Sequence, residues 1–375
     1  MKIAILTDIL DRTEKKTGVG VYCEQLIKHL LIFPGDNKFY LVHYKKNNNP
    51  IYRQTKEIII PSLPFPIFFK AIFTGFLRMP AVLKREKIDL LHILSPTLHE
   101  TPLFFLQGFK KILTVHDLYP FLPEVRAMPP YPNFKVWILH RLRKIALLAI
   151  KDNVDKYIAV SNNTKQDLMR YLGVPEEKIK VIYLGPDEKF RQINVKIPNF
   201  IDSSFILSND INAKLIEIFY RLRKKRVRNK LVIFGEIHKS GKNKLNKVIK
   251  NLNLGENIIF LGYVPGEELV RLYNTADLFI RFRWCEGFGL PSLEAMACGC
   301  PVIVSNVGSL PEVVGDAGVL VNVDDMEEWV EKIYYILTHE DFRRELTKRG
   351  LEQAKKFSWE KTAKETLETY HQVLQ

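Results

Sequence analysis

Short apolar runs alternate with longer amphipathic stretches along the whole chain. In the first half the runs are Lys2–Thr7, Phe39–His43, Glu57–Ile60, Leu90–Leu94, Ile112–Val115, Tyr157–Ser161 and Lys180–Tyr183. In the second half they are Ser204–Leu207, Leu231–Phe234, Ile258–Leu261, Leu278–Ile280, Pro301–Ser305 and Val319–Val321. Most are nearly continuous in apolar residues, the pattern of strands buried on both faces. Alternation with helical stretches predicts α/β architecture, with parallel sheets covered by helices on both sides. Two such series in 375 residues predict two doubly wound, Rossmann-like domains. The pattern breaks at Gly185-Pro186-Asp187 and Pro198-Asn199, so the domains are expected at 1–187 and 188–357. In such sheets ligands bind beyond the carboxyl ends of the strands. Two of them facing each other make a cleft.

The most informative stretch is Glu286-Gly-Phe-Gly-Leu-Pro-Ser-Leu-Glu294. It sets two carboxylates across a glycine-rich loop that enters a helix. Pro291 suits a first helical position, and Gly299 suits the residue just past the end. A loop of this kind aims backbone N–H groups and the positive end of a helix at one place, which favours a diphosphate. The carboxylates accept hydrogen bonds from hydroxyls, so the patch suits a ligand with phosphate and polyol parts. The plain alternative is a tight turn with Glu294 complementing the helix dipole.

Glu286-Gly-Phe-Gly-Leu-Pro, Leu293-Glu-Ala-Met-Ala, Gly299, Pro301-Val-Ile-Val-Ser-Asn and Pro311-Glu-Val-Val-Gly-Asp-Ala-Gly follow one another between Leu278 and Asp325. This segment resembles the donor-binding core of glycosyltransferase family 4, retaining sugar transferases of the GT-B fold. The resemblance implies that Glu294 accepts from the ribose hydroxyls of a nucleotide sugar, while Glu286 bonds a hydroxyl of the transferred sugar. It implies that Gly287, Phe288, Gly289 and Leu290 approach phosphate or sugar oxygens, where a Cβ on a glycine would block the approach. Gly262-Tyr-Val264 resembles the stretch lining the base. In the first domain, Thr17-Gly18-Val-Gly20 lies ahead of a helix expected from about Val21 to Phe33, and resembles the loop at the donor phosphates and acceptor. It lacks the third glycine of a dinucleotide fingerprint, which argues against a nicotinamide cofactor. Thr114-Val-His116-Asp-Leu resembles the active-site strand end, where His116 would contact the donor sugar. Asp117 either orients that imidazole or caps a turn. The terminal segment 358–375, after Phe357-Ser-Trp, resembles the helix that crosses back onto the first domain.

Composition narrows the partners. The net charge of +14 favours anionic ones. The densest basic run, Arg221 to Lys230, reads as a solvated helix end before the strand at Leu231. No zinc finger or stacking-aromatic signature supports nucleic-acid binding. The four cysteines, Cys23, Cys285, Cys298 and Cys300, lack zinc-site spacing and read as reduced, buried thiols of a cytoplasmic protein. No apolar run reaches the ~18 residues of a membrane span. The aromatic stretch Phe65–Pro80 and the mixed apolar and basic stretch Lys135–Lys144 either pack in the core or lie on an anionic membrane surface. No Asp-x-Asp pair occurs, so no metal is expected. The leaving diphosphate would instead meet basic side chains and helix ends.

The chain departs from the family in two respects, one being Phe282-Arg283 where the family usually has Pro-Ser ahead of the first glutamate. The family places an Arg and a Lys after the first strand of the second domain. Here Ser208-Asn-Asp-Ile-Asn212 follows that strand, with no basic residue before Lys214. Lys239 and Lys242 in the loop after Phe234, or Arg281 and Arg283 beside the signature, are the candidate replacements, with Lys242 and Arg283 preferred. The expected function is metal-independent, retaining transfer of a hexose from a GDP- or UDP-linked donor to a glycan or lipid-linked acceptor. No further cofactor is expected. Val-His-Asp-Leu and Ser161-Asn-Asn-Thr-Lys favour mannose. The site is expected on the cytoplasmic side, at most peripheral to a membrane. The alternative is an impaired family member that serves as a binding subunit.

Overall fold

The structure is a computed structural model that describes residues 1–11, 18–46, 49–60, 78–95, 107–122, 134–195, 204–208, 212–235 and 239–375, with the side chains of 134–137, 139 and 239–244 left aside. Thr17, most of Phe65–Pro80, Pro198-Asn199 and Asn209-Asp210 lie outside the described residues. The chain divides into two compact units, Met1–Leu184 with Trp359–Gln375, and Gly185–Ser358.

The first unit runs β1 (Lys2–Leu6), α1 (Gly18–Ile32), β2 (Lys38–His43), β3 (Lys56–Ile59), α2 (Met79–Arg85), β4 (Leu90–Ile93), β5 (Lys110–Val115), α3 (Phe134–Ile150), β6 (Lys156–Ala159), α4 (Asn162–Asp167) and β7 (Ile179–Val181). The second holds β8 (Phe205–Ser208), α5 (Ala213–Lys224), β9 (Lys230–Phe234), α6 (Lys239–Asn251), β10 (Ile258–Gly262), α7 (Gly266–Thr275), β11 (Leu278–Arg281), α8 (Leu290–Ala297), β12 (Val302–Ser305), α9 (Leu310–Val314), β13 (Val319–Val321), α10 (Met326–Thr338) and α11 (Glu340–Ala354). The chain then returns to the first unit as α12 (Trp359–Leu374).

Among the described residues the sheets are ordered β3-β2-β1-β4-β5-β6-β7 and β10-β9-β8-β11-β12-β13. Every described pairing is parallel. Strand order reverses between β1 and β4 in one sheet and between β8 and β11 in the other, the switch points at which doubly wound sheets hold ligands.

Alternation along each strand explains the layering. In the second unit Ile206, Leu231, Ile233, Leu278 and Ile280 share a core with Leu215 and Phe219 of α5, Ile249 of α6 and Trp329 of α10. The intervening Phe234 and Phe279 meet the ring of Tyr273 from α7 at 6.1 and 5.5 Å, and so belong to the other face. The basic run at 221–230 is structural. Arg221 pairs with Glu217 and Glu327, and Arg223 donates to the Val227 carbonyl at 2.7 Å as α5 closes.

In the first unit α12 packs on α1 and sends a side chain into the sheet. His92 of β4 is fully buried. Its Nδ1 meets the Tyr370 hydroxyl at 2.6 Å and its Nε2 the Thr114 hydroxyl at 2.8 Å. Burial pushes the His92 imidazole down to about 3, so it is neutral near pH 7. Three of the cysteines are buried and unpaired as expected, but Cys285 is only half-buried because it sits in the loop ahead of α8.

Candidate donor-binding site

The loop from Phe282 to Gly289 leaves β11 at the switch point of the second sheet and is anchored along its length. Phe282 is buried, its ring 4.9 Å from that of Trp329. The Arg283 N–H donates to Ser305 Oγ at 2.9 Å. The Glu286 carbonyl accepts from the Ser309 N–H at 3.1 Å and Ser309 Oγ at 3.2 Å. That contact requires Gly308, with φ +57°, because a Cβ there would lie 2.4 Å from Glu286 O and 2.8 Å from Glu286 N. Gly289 precedes the helix with φ +94°, and a Cβ there would meet Leu310 Cδ2 at 2.7 Å. Phe288 is buried, with its ring 6.0 Å from that of Phe357.

Pro291 opens α8, and the helix ends as the sequence predicts. Gly299 has φ +80°. Its N–H donates to Met296 O and the Cys300 N–H to Ala295 O, both at 2.9 Å, the paired closure of a Schellman motif.

The two carboxylates occupy different environments. Glu286 takes the guanidinium of Arg281, the last residue of β11: Arg281 Nε donates to Oε2 at 2.8 Å, and Nη2 donates to the same oxygen. Glu294 is 8 % exposed. Burial drives its carboxyl up to about 8, with Lys189 and Arg281 opposing the rise and Asp187 adding to it. The hydroxyls of Tyr273 and Ser292 are buried beside this helix without a hydrogen-bond partner among the described residues. Buried, unsatisfied hydroxyls are costly and are commonly met by water or a ligand.

The other second-unit candidates divide. Val264 is half-buried in the turn after β10, behind Gly262, whose carbonyl accepts from the Gly235 N–H at 2.7 Å. Arg283 is exposed. Lys239 and Lys242 are not in a loop, as the sequence suggested. They lie in the first turn of α6, because the helical stretch starts earlier than its first apolar residue, Leu245, implies.

In the first unit His116 directly follows β5 and is half-buried. Its Nε2 donates to the Leu94 carbonyl at 2.9 Å, and the Tyr22 ring lies edge-on at 4.7 Å. Burial holds the imidazole down at about 4, only partly offset by the Leu94 bond. It is therefore neutral at pH 7, with its hydrogen on Nε2. Asp117 Oδ1 accepts from the Tyr119 N–H at 3.2 Å, which makes it a turn residue. Gly18 and Gly20 do not form a loop ahead of the helix. They are in the first turn of α1, Gly18 exposed and Gly20 buried. Glycine pairs read as loops by propensity, but here the helix is held by packing on its apolar side.

Thus Glu286, Gly287, Phe288, Gly289, Leu290 and Glu294 share one loop and helix at a switch point, while in the first unit His116 meets Tyr22, which follows Gly20 by two residues in α1. Sequence reasoning missed Gly308 and Ser309. Their signal was a glycine three residues past a buried strand and three ahead of a helix-opening proline, Pro311. It also weighed Arg281 only as a phosphate cation, without its pairing to Glu286. No group of three or more metal-ligating side chains occurs among the described residues.

Comparison with known proteins follows the same division. Residues 16–190 match the family described as Glycosyltransferase Family 4, and residues 212–353 match Glycosyl transferases group 1. The chain is 28% identical over 283 residues to the serotype-specific mannosyltransferase WbdA of Escherichia coli, covering 71% of this chain and 34% of WbdA. It is 50% identical over 113 residues to the O-antigen chain mannosyltransferase B of Escherichia coli, 30% of each chain. These matches span about a third of the relatives' lengths. The crystal structure of Anabaena HepE in complex with UDP-glucose superposes with TM-score 0.73 at 16% identity, covering 99% of this chain and 100% of that one. With the two family matches falling on the two sheets in turn, the chain belongs to the family 4, group 1 glycosyltransferases of the GT-B fold.

Proposed function

We propose that the protein transfers mannose from a nucleotide sugar to a saccharide acceptor of cell-surface polysaccharide, with retention of anomeric configuration and without a metal ion. The observation that carries this reading is the pair Glu286 and Glu294 on one anchored loop and helix. Glu294, buried and close to uncharged at pH 7, becomes a strong acceptor once ribose hydroxyls donate to it. The start of α8 offers its positive end to the diphosphate. Mannose is favoured by the two Escherichia coli mannosyltransferases among the relatives, and a nucleotide donor by the UDP-glucose bound to HepE.

In this reading the acceptor hydroxyl oxygen bonds the anomeric carbon on the face that the leaving group vacates. The bond from that carbon to the phosphate oxygen breaks, and the departing phosphate takes the acceptor proton. His116 is neutral, so it suits a hydrogen bond to a sugar hydroxyl better than acid catalysis at pH 7. Arg283 and Lys242 remain the proposed phosphate cations.

The test is transfer from GDP-mannose, with UDP-linked sugars beside it, to mannose-containing oligosaccharides. The expected product keeps the donor's anomeric configuration by NMR and forms equally in excess EDTA. An inverted product overturns retention, and sensitivity to EDTA overturns metal independence. Exclusive use of another sugar overturns mannose. Failure to bind any nucleotide sugar leaves a non-catalytic binding subunit.

A membrane surface is proposed as the place of work. No helix among the described residues is long and apolar enough to cross a membrane. In α3, Ile138, Leu142, Ile145 and Leu148 are 37, 46, 61 and 39 % exposed, and their spacing puts them on one side, opposite buried Leu147 and Ile150. The helix carries Arg141, Arg143 and Lys144 and no acidic residue, which suits an anionic lipid surface. Co-sedimentation with phosphatidylglycerol vesicles at low salt is expected, and is lowered by about 10-fold in Ile145→Asp, the scale of one buried aliphatic side chain. Absence of binding at low salt refutes the proposal.

A further inference from the structure

Among the described residues, Nε and Nη2 of Arg281 converge on one oxygen of Glu286, and the other oxygen, Oε1, makes no hydrogen bond. Arg281 closes β11 one residue beyond Ile280, the partner of Ser208, at the reversal of strand order where a doubly wound sheet holds its ligand. Its side chain is 6 % exposed, an unusual place for a guanidinium in an otherwise apolar strand. We propose that Arg281 is a positioning residue for the transferred sugar: it locks the Glu286 carboxylate by one oxygen and leaves the other turned to accept a sugar hydroxyl. This rests on the donor-site reading given above.

The physical case has three parts. Gly308 and Ser309 already fix the Glu286 backbone, so the remaining freedom is in its side-chain torsions. A planar, always-charged guanidinium removes that freedom with two donors, where a lysine would supply a single mobile one. A carboxylate held in this way meets a hydroxyl without paying ordering entropy at the moment of binding. Were Arg281 instead a diphosphate cation, its charge would meet the phosphates when donor binds. The same side chain would then act on the nucleotide rather than on the sugar.

That difference is measurable. Affinities for GDP-mannose and for GDP, and for UDP-glucose and UDP, would be compared by calorimetry in the wild type, Arg281→Met, Glu286→Gln and the double variant, with steady-state KM and kcat beside them. The ratio of sugar-donor to bare-nucleotide affinity is expected to fall by about 10-fold in Arg281→Met, the scale of one charge-assisted hydrogen bond. Glu286→Gln should match it, the double variant should be no worse than either single one, and Arg281→Lys should recover part of the loss. An equal fall for nucleotide and nucleotide sugar overturns the proposal in favour of a phosphate cation. Additive losses in the double variant overturn it too. If Arg281→Met fails to fold, the Arg281→Lys affinity ratio decides by the same criterion. A wild type that binds neither nucleotides nor nucleotide sugars refutes the donor-site reading itself, whereas a wild type that binds both while the variants keep its ratio refutes this inference alone.

Discussion

Gly308→Ala is expected to unseat the loop at Phe282–Gly289 and lower the melting temperature of the second unit by roughly 6–12 °C. The residue has φ +57°, a left-handed conformation that costs a non-glycine residue about 1–2 kcal/mol. The new Cβ would also sit 2.4 and 2.8 Å from backbone atoms of Glu286. Backbone cannot rotate away as a flexible side chain can, so the chain itself must shift, and the total reaches about 3 kcal/mol. The shift breaks the bonds from Ser309 to the Glu286 carbonyl, so donor affinity falls with stability. Gly18→Ala is the control: its Cβ meets nothing within 4 Å, and at a helix start it should be neutral or slightly stabilising. Differential scanning calorimetry of both variants checks the pair. Equal melting temperatures would show that the loop yields more easily than its geometry indicates.

Glu294→Gln is expected to weaken nucleotide binding by about 10- to 150-fold at pH 8.5, the range for a hydrogen bond to a charged group. The pH dependence is equally diagnostic. Burial raises the Glu294 carboxyl from its ordinary 4.5 to about 8. The folded protein therefore holds a proton that the unfolded chain releases between those values. Stability from this group is undiminished below pH 4.5, falls as pH rises toward 8, and stays reduced above it, by up to about 5 kcal/mol. Hydroxyl donors from a ribose favour the charged carboxylate and pull its pKa back down. Binding at pH 7 should thus release close to one proton in the wild type and none in Glu294→Gln. Calorimetry of GDP or UDP binding in buffers of different ionisation enthalpy reads this directly. Wild-type binding without proton release would remove Glu294 from the ribose site.

The strands were legible because strands buried on both faces must be apolar almost throughout. Each expected run coincides with a strand to within two residues, and the closure of α8 at Gly299 could be read from one glycine and the strand behind it. What stayed hidden depended on contacts rather than on local preference. Gly18 and Gly20 suggested a loop because glycine disfavours helix, yet they lie inside α1. Lys242 was placed in a loop because α6 opens with polar residues. The grip of Arg281 on Glu286 joins residues five apart across the end of a strand, a pairing with no periodic signature. The support of the Glu286 backbone by Ser309 spans 23 residues, and nothing short of the folded loop reveals it.

The partner of His92 Nδ1 lies 278 residues further along the chain, in a helix made only after the whole of Gly185–Ser358. During synthesis the first seven strands therefore emerge with that imidazole and the outer side of α1 still uncovered. The earlier-made half is therefore the later one to finish.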